Sequence, residues 1–389
     1  MSFRKIRLLT SGESHGPAVT AILEGLPGQL PISREKLQQQ MRRRMMGYGR
    51  GGRMKIETDE VEITGGLRFG KTIGSPVGIL VRNRDFANWE DVMSPWGPED
   101  SRREVHRPRP GHADLAGGLK FGEHDLRNIL ERASARETVA RTAAGALCKQ
   151  LLEHAGIEIA SHVLSVGRAA VPSRRFDWSE IVAVQDSEKL RCADAAAEEQ
   201  MIAEIDEAKK RKETLGGVFE VVARGVLPGL GSHVQWDQKI DGRIAQAILS
   251  IPAIKGIQAG DAFEIAKSCG SEAHDEIFFD QNRGFVRKTN RAAGLEGGIT
   301  NGEEIRIRAA MKPLSTLMKP LQSVDVVSKN AQEAVVERSD VCSVPAAGVV
   351  GEAMLALVLT DALLEKFSCD SLPELLAAID FYRKSIASY

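Results

Sequence analysis

Residues Met41 to Met54 read MRRRMMGYGRGGRM, so Arg42, Arg43, Arg44, Arg50 and Arg53 crowd together with no acidic residue among them. The chain as a whole carries 52 Lys and Arg against 53 Asp and Glu, so this positive field is local. Guanidinium forks hold carboxylates and phosphates in fixed orientation, and the pattern suits a small polyanion. Gly47, Gly49, Gly51 and Gly52 run through the same stretch. Glycine gives up the most backbone entropy on folding and packs nothing, so its use here is a sharp bend or a close approach. The same residues also fit a solvated basic helix running into a loop, or an RGG-type nucleic-acid segment. A formal net charge of -1 opposes a dedicated nucleic-acid binder, whose surface carries a basic excess.

Two histidines stand where chemistry is possible. His15 lies in the polar turn Ser11-Gly12-Glu13-Ser14-His15-Gly16-Pro17, where backbone can approach a ligand. His112 follows Arg107-Pro108-Arg109-Pro110-Gly111, a stiffened run that holds an imidazole in place. His106 and His124 flank it at spacings that match no metal-ligand pattern. The five cysteines are far apart and form no CxxC pair, which predicts buried thiols in a reducing compartment and neither zinc nor a disulfide framework.

The elements that must position these groups follow from pattern. Lys5–Thr10 and Ala18–Glu24 alternate as strands, with His15 at the tip between them. Ser33 caps a helix over Arg34–Met46, with Leu37, Met41 and Met45 on one face. Successive residues there are turned by about 100°, so Arg42, Arg43 and Arg44 cannot share one ligand; Arg50 and Arg53 in the loop are freer to face it. Gly65–Thr72 (GGLRFGKT) fits a phosphate-loop pattern, but Gly74 and Pro76 fall where its helix would begin, so Val61–Val81 reads as a β-hairpin. Asn88–Glu104 reads as a long loop. Asp125 caps one long helix over Leu126–His154, whose Ala140, Ala143, Ala144 and Ala146 predict close packing inside the fold. Arg132 and Arg136 on that helix need partners, either a bound anion or Glu131 and Glu137.

Asp194–Thr214 is a charged helix with a thin stripe of Met201, Ile202 and Ile205, expected as a peripheral arm. Val218–Leu227 is a strand, Asp237–Ser250 a helix stopped by Pro252, and Ile305–Met311 a strand after a glycine turn. Ala346–Leu364 is almost wholly apolar, but Glu352 and Asp361 interrupt it, so it reads as a core helix and not a membrane span. Met1–Arg7 contains no signal-like apolar run, and a cytoplasmic protein is expected. Length alone suggests about two or three domains, and the pattern of elements reads as α+β with a core of small-residue helices.

Six motifs in order, GESHG, RRRMMGYGRGGRM, RPGHADL, ERASARET, MKPLSTLMKP and ERSDVCSVPAAGV, closely resemble those of the chorismate synthases. The resemblance implies a single interlocked α+β domain over residues 1–389, with helices sandwiched between antiparallel β-sheets and the charged helix near 194–214 peripheral. It implies a homotetramer that uses reduced FMN without net redox change. The reaction would be 1,4-elimination of phosphate from 5-enolpyruvylshikimate 3-phosphate, giving chorismate. His15, Arg44, Arg50, Arg53, Arg136 and Arg338 would bind the substrate. Arg50, His112, Arg132, Ser134, Ala253, Lys312, Thr316, Arg338 and Ser339 would bind the cofactor. His15 would protonate the departing phosphate, His112 would balance charge at the reduced flavin, and Asp340 would receive the C6 proton by way of the flavin. Pro252 departs from the asparagine common in the family at the flavin turn, while Ala253 and Lys255 match. Neither nucleic acid nor membrane is an expected partner. A flavin oxidoreductase would instead need a nicotinamide site, and no GxGxxG opens a helix after a strand here.

Overall fold

Apolar residues at every second position bury one face of the first sheet, while the central strands of the second are buried on both faces. In the computed structural model, which describes residues 5–51, 58–97, 100–281, 284–337 and 339–389, the first sheet comprises β1 (Arg7–Ser11), β2 (Ala18–Glu24), β3 (Val61–Gly65) and β4 (Val77–Arg82). The strands lie antiparallel in the order β1-β2-β4-β3, with Leu8 opposite Leu23 and Val19 opposite Val81. Val19, Ala21, Leu23, Val77, Ile79 and Val81 form its buried face. Between β3 and β4 the GGLRFGKT run folds as a small hairpin, Leu67–Arg68 against Lys71–Thr72, and opens no helix. The second sheet comprises β5 (Glu158–Val166), β6 (Ala169–Ala170), β7 (Gly217–Arg224), β8 (Ile254–Ala259) and β9 (Ile305–Met311). Its order is β8-β9-β7-β5-β6, again antiparallel throughout.

The longer helices are α1 (Arg34–Met45), α2 (Asp114–Phe121), α3 (Arg127–Ala133), α4 (Thr138–His154), α5 (Ala195–Lys210), α6 (Ile240–Leu249), α7 (Val344–Phe367) and α8 (Leu372–Ala387). Two of them, α4 and α7, fill the space between the sheets. The first sheet packs on α4, α4 on α7, and α7 on β5 and β7 of the second sheet. This is the α+β sandwich expected from the resemblance. Small residues set the spacing: a Cβ on Gly145 of α4 would come within 2.3 Å of the Ala353 Cβ on α7. Interiors this dense leave no room even for one extra methyl group.

The apolar helix α7 is long enough to cross a membrane by composition, yet it is buried inside the protein almost from end to end. Its two buried acidic residues are neutralised from neighbouring elements. Glu352 accepts from Arg43 at 2.7 Å and Lys149 at 2.7 Å, and Asp361 accepts from the Ile6 N–H at 2.8 Å and pairs with Arg243.

Two local expectations are corrected. The predicted helix over Leu126–His154 is broken at Ser134, whose extended backbone (φ -64, ψ 144) separates α3 from a short 3₁₀ turn leading into α4. The Ser134 hydroxyl accepts from the Arg136 N–H at 3.3 Å, a side-chain bond that competes with helix continuation. Asn88–Glu104 is no plain loop, since Glu90–Met93 is helical and Ser101–Arg103 forms a 3₁₀ turn. Trp89 anchors the segment: it is buried, stacked on the His15 ring and covered by Arg103.

Candidate active site

The turn between β1 and β2 presents His15, and three elements hold it there. Gly12 adopts φ +107, and a Cβ at that position would lie 2.3 Å from the Ala18 carbonyl oxygen, so only glycine closes the turn. Asn83, just after β4, donates to the carbonyls of Glu13 (3.0 Å) and Gly16 (2.7 Å). Glu131 of α3 accepts the His15 backbone N–H at 2.8 Å and lies 2.9 Å from its Nδ1. The Trp89 ring stacks on the imidazole at 4.0 Å and 20°. Burial would raise the Glu131 carboxyl, but His15 and Arg127 outweigh it and hold the group below its ordinary value.

Behind this turn lies a buried pair of arginines. Arg44 donates to Asp59 at 2.9 Å, to Thr138 Oγ1 and to the Ala135 carbonyl, and Arg136 pairs with the other Asp59 oxygen. The break at Ser134 places Arg136 on the turn where it can reach Asp59 and donate to Asn83 Oδ1 at 2.7 Å. Burial, joined by the charges of Arg136 and Arg50, lowers Arg44 to about 10 against the opposing pull of Asp59 and Asp340. Two cations therefore share one carboxylate, with Arg50 and Asp340 close by.

The glycine-rich loop docks on the segment preceding α7. Arg50 bonds Asp340 at 2.8 Å and the Ser343 hydroxyl at 3.0 Å, and the Gly51 N–H donates to Asp340 at 2.6 Å. The described glycines approach protein closely: a Cβ on Gly49 would meet Ile205 at 3.0 Å, and one on Gly51 would meet the Ser339 carbonyl oxygen at 3.0 Å. Ile205 belongs to the apolar stripe of α5, so the charged helix braces the arginine loop. Arg53 and Arg338 lie outside the described residues.

A second group surrounds His112. Its Nδ1 meets the fully buried Asp114 carboxylate at 2.5 Å, and Arg109 donates to Asp114 (2.9 Å) and to Thr316 (2.8 Å). Burial raises the Asp114 carboxyl, yet His112 and Arg109 together hold it far below the usual range. Lys312 donates to the Gly111 carbonyl, and its N–H bonds the carbonyl of Ala253, which sits at φ +68. The described hydrogen bonds do not link this group to His15.

Expectation and structure differ over the helix arginines. Glu131 and Glu137 were the alternative to a bound anion as partners of Arg132 and Arg136, but Glu131 goes to His15 and Arg127, and Glu137 to Arg141. The interruption at Ser134 turns the two halves of the predicted helix differently. Arg132 instead donates to the carbonyls of Gly12 (3.0 Å) and Thr10 (3.1 Å), closing the base of the His15 turn. Ser134 bonds Ser14 at 3.1 Å. Sequence reasoning missed Asp59, Trp89, Asn83 and the role of Glu131. Of the neighbours it passed over, only Asp114 carried a local signal, standing two places after His112 in RPGHADL.

A cavity of about 600 Å³ lies elsewhere, lined by Lys36, Gln40, Arg43, Lys149 and Trp178 among others. Its inner cations are paired with Glu352, so it offers no unmatched charge to a ligand. Among the described residues no cluster of His, Cys, Asp and Glu could hold a metal ion.

A buried arginine pair, a partly exposed arginine–aspartate pair and a carboxylate-bound histidine on an α+β sandwich suit an enzyme that binds a small polyanion and moves a proton on it. A sequence model of the family described as chorismate synthase matches residues 6–364. Chorismate synthases of Sulfurihydrogenibium sp. (strain YO3AOP1) and Aquifex aeolicus (strain VF5) are each 52% identical to this chain, covering 99% and 100% of it and 100% of their own lengths. That of Moorella thermoacetica is 53% identical, over 97% of this chain and 98% of its own. A crystal structure of chorismate synthase superposes with a TM-score of 0.80 at 43% identity, covering 100% of both chains. The chain belongs to the chorismate synthase family, lyases of the shikimate pathway.

Proposed function

We propose that His15, Arg44, Arg50 and Arg136, with Arg53 and Arg338, hold 5-enolpyruvylshikimate 3-phosphate during 1,4-elimination of its phosphate to give chorismate. The observation that carries this reading is the gathering of Arg44, Arg136 and Arg50 within electrostatic reach of one another beside the His15 turn. The substrate has two carboxylates and a phosphate, and their negative charge would offset the positive charges of Arg136 and Arg50 that add to burial in depressing Arg44. Bidentate guanidinium pairing restricts the ring to one orientation, which lowers the barrier by removing rotational freedom before the reaction.

The chain's own residues divide the remaining work. His15, when protonated, gives its proton to the departing phosphate. Asp340 takes up the proton lost from C6; it stands about one-fifth exposed beside the glycine loop. For the cofactor, the donor set fits a flavin phosphate: the Lys312 ammonium, the Thr316 and Ser339 hydroxyls, and Arg109 held behind Thr316. His112, Arg50, Arg132, Ser134, Ala253 and Arg338 complete the proposed cofactor residues, with His112 held by Asp114 to balance negative charge. Bound there, reduced FMN would supply an electron to assist carbon–oxygen cleavage and recover it afterwards. The whole chain acts as one catalytic unit with α5 at its periphery, as a cytoplasmic homotetramer that needs neither nucleic acid nor membrane.

Single-turnover measurement with pre-reduced FMN tests the assignment. His15→Ala should lose rate increasingly as pH rises and other acids disappear, while Asp340→Asn should lose rate with binding intact. Normal turnover by both variants would remove the proposed proton donor and acceptor together.

A further inference from the structure

We infer that Glu131 is a positioning residue for His15, holding the imidazole with Nδ1 turned to the protein and supplying the negative charge that stabilises its protonated form. This rests on His15 being the acid at the departing phosphate. Both Glu131 oxygens engage the histidine: Oε1 lies 2.9 Å from Nδ1, and Oε2 lies 3.1 Å from Nδ1 and accepts the backbone N–H at 2.8 Å. The Glu131 carbonyl also accepts the Ser14 N–H at 3.0 Å, so ring and backbone are fixed by one residue. Among the described residues no hydrogen bond reaches His15 Nε2, while the side chain keeps 11% of its surface exposed. The ring nitrogen left for a ligand is therefore Nε2.

The other charges around the ring are arranged in alternation. Arg127 of α3 donates to Glu131 Oε1 at 3.2 Å and to Glu337 at 3.0 Å, so the Glu131 charge is shared but not cancelled outright. Trp89 covers one face of the imidazole, and Arg103 lies over the same indole at 3.9 Å with Arg127 at 5.0 Å. Glu13 is in the same turn, with its Oε2 beside Gly16. Arg136 and Asp59 stand behind, connected to the turn through Asn83. Of these groups only Glu131 touches the ring with a charge. A carboxylate at Nδ1 selects the tautomer in which that nitrogen carries the proton, and it stabilises the imidazolium that an acid catalyst must be before it acts. The same carboxylate also anchors the turn, so a purely structural role must be separated from this one.

Glu131→Gln separates them, because it keeps the size and one acceptor but removes the charge. With the FMN-loaded enzyme and substrate in single turnover, the high-pH decline in rate should move to lower pH, the direction expected on removing an opposite charge from the ring. Glu131→Asp should restore part of that shift. In a His15→Gln background, Glu131→Gln should change the rate no further. An unchanged pH profile in Glu131→Gln, or a full additional loss in the His15→Gln background, would overturn the inference. If Glu131 variants fail to fold, the native enzyme still decides: ¹⁵N spectra of its imidazoles, with His15 assigned by its loss in His15→Gln, should give neutral His15 protonated at Nδ1. Protonation at Nε2 would contradict the assignment. Turnover by His15→Gln at the native rate would instead defeat the acid role of His15, while the tautomer would still report whether Glu131 orients the ring.

Discussion

Arg43 and Arg44 are consecutive on α1, and each enters a buried cluster in which two cations share one carboxylate. Arg43 and Lys149 meet Glu352, which is 0% exposed; Arg44 and Arg136 meet Asp59, which is 1% exposed. Both clusters also contain a depressed arginine. Arg44 is lowered to about 10, and Arg191, beside Arg43, is lowered by burial and by that neighbouring charge to about 9. Neither burial nor a shifted arginine therefore identifies the active site. The clusters differ in what adjoins them. Glu352 is closed in by Ser161, and Gln40 and Gln185 bond Arg43 from either side. The Asp59 cluster continues through Asn83 to the His15 turn and lies near the Arg50–Asp340 pair, where side chains keep 12% and 21% of their surface. A charge cluster serves chemistry when it leads to groups a ligand can touch.

The largest expected effect lies at the accessible end of that contrast. Asp340→Asn should slow single turnover by roughly a hundred- to ten-thousandfold, the usual range for a general base, with the melting midpoint unchanged. A normal rate with a lowered midpoint would make Asp340 a structural partner of Arg50 and the Gly51 N–H.

Next come the two buried carboxylates. Asp59→Asn and Glu352→Gln should each cost about 3–5 kcal/mol of stability by leaving cations unmatched. Only Asp59→Asn should also weaken substrate binding, measured by titration of the folded fraction. Equal binding by the two variants would erase the distinction between the clusters.

Acid should act on the core cluster in a definite direction. Burial raises the Glu352 carboxyl, but Arg43 and Lys149 overcome it and hold the group far below the ordinary carboxylate range. Its folded value lies below its unfolded one, so its contribution is present above the unfolded value near 4.5 and is lost as pH falls below it. Denaturation midpoints between neutral pH and pH 3 should fall less steeply for Glu352→Gln than for the native chain. The smallest effect belongs to the third arginine of the run: exposed Arg42→Ala should change stability by no more than about 0.5 kcal/mol and leave turnover alone.

Much of the fold was legible because its signals are local. The Ser33 cap, the alternation in β2 and β4, the apolar run of α7 and the glycines after α1 each show within a few residues. The failure at Ser134 is also instructive: helical periodicity runs through it, and the serine side chain alone breaks the ladder. The glycines predicted a close approach, but their pattern did not say to what. Among those described, they let the loop touch Ile205, Cys342, Pro345 and Ser339.

By itself the sequence determined the type of most elements, the burial of α7, the density of arginine and the six motifs that mark the family. It also determined that Arg42, Arg43 and Arg44 must diverge, since a helix turns about 100° per residue. Only the tertiary structure decided where each one goes: Arg42 to solvent, Arg43 to Glu352 from 309 residues away, and Arg44 to Asp59. The same holds for Glu131, which is separated from His15 by 116 positions. Such pairings follow from sheets and helices packing across the chain, and no periodicity along one segment encodes which distant side chain will meet it.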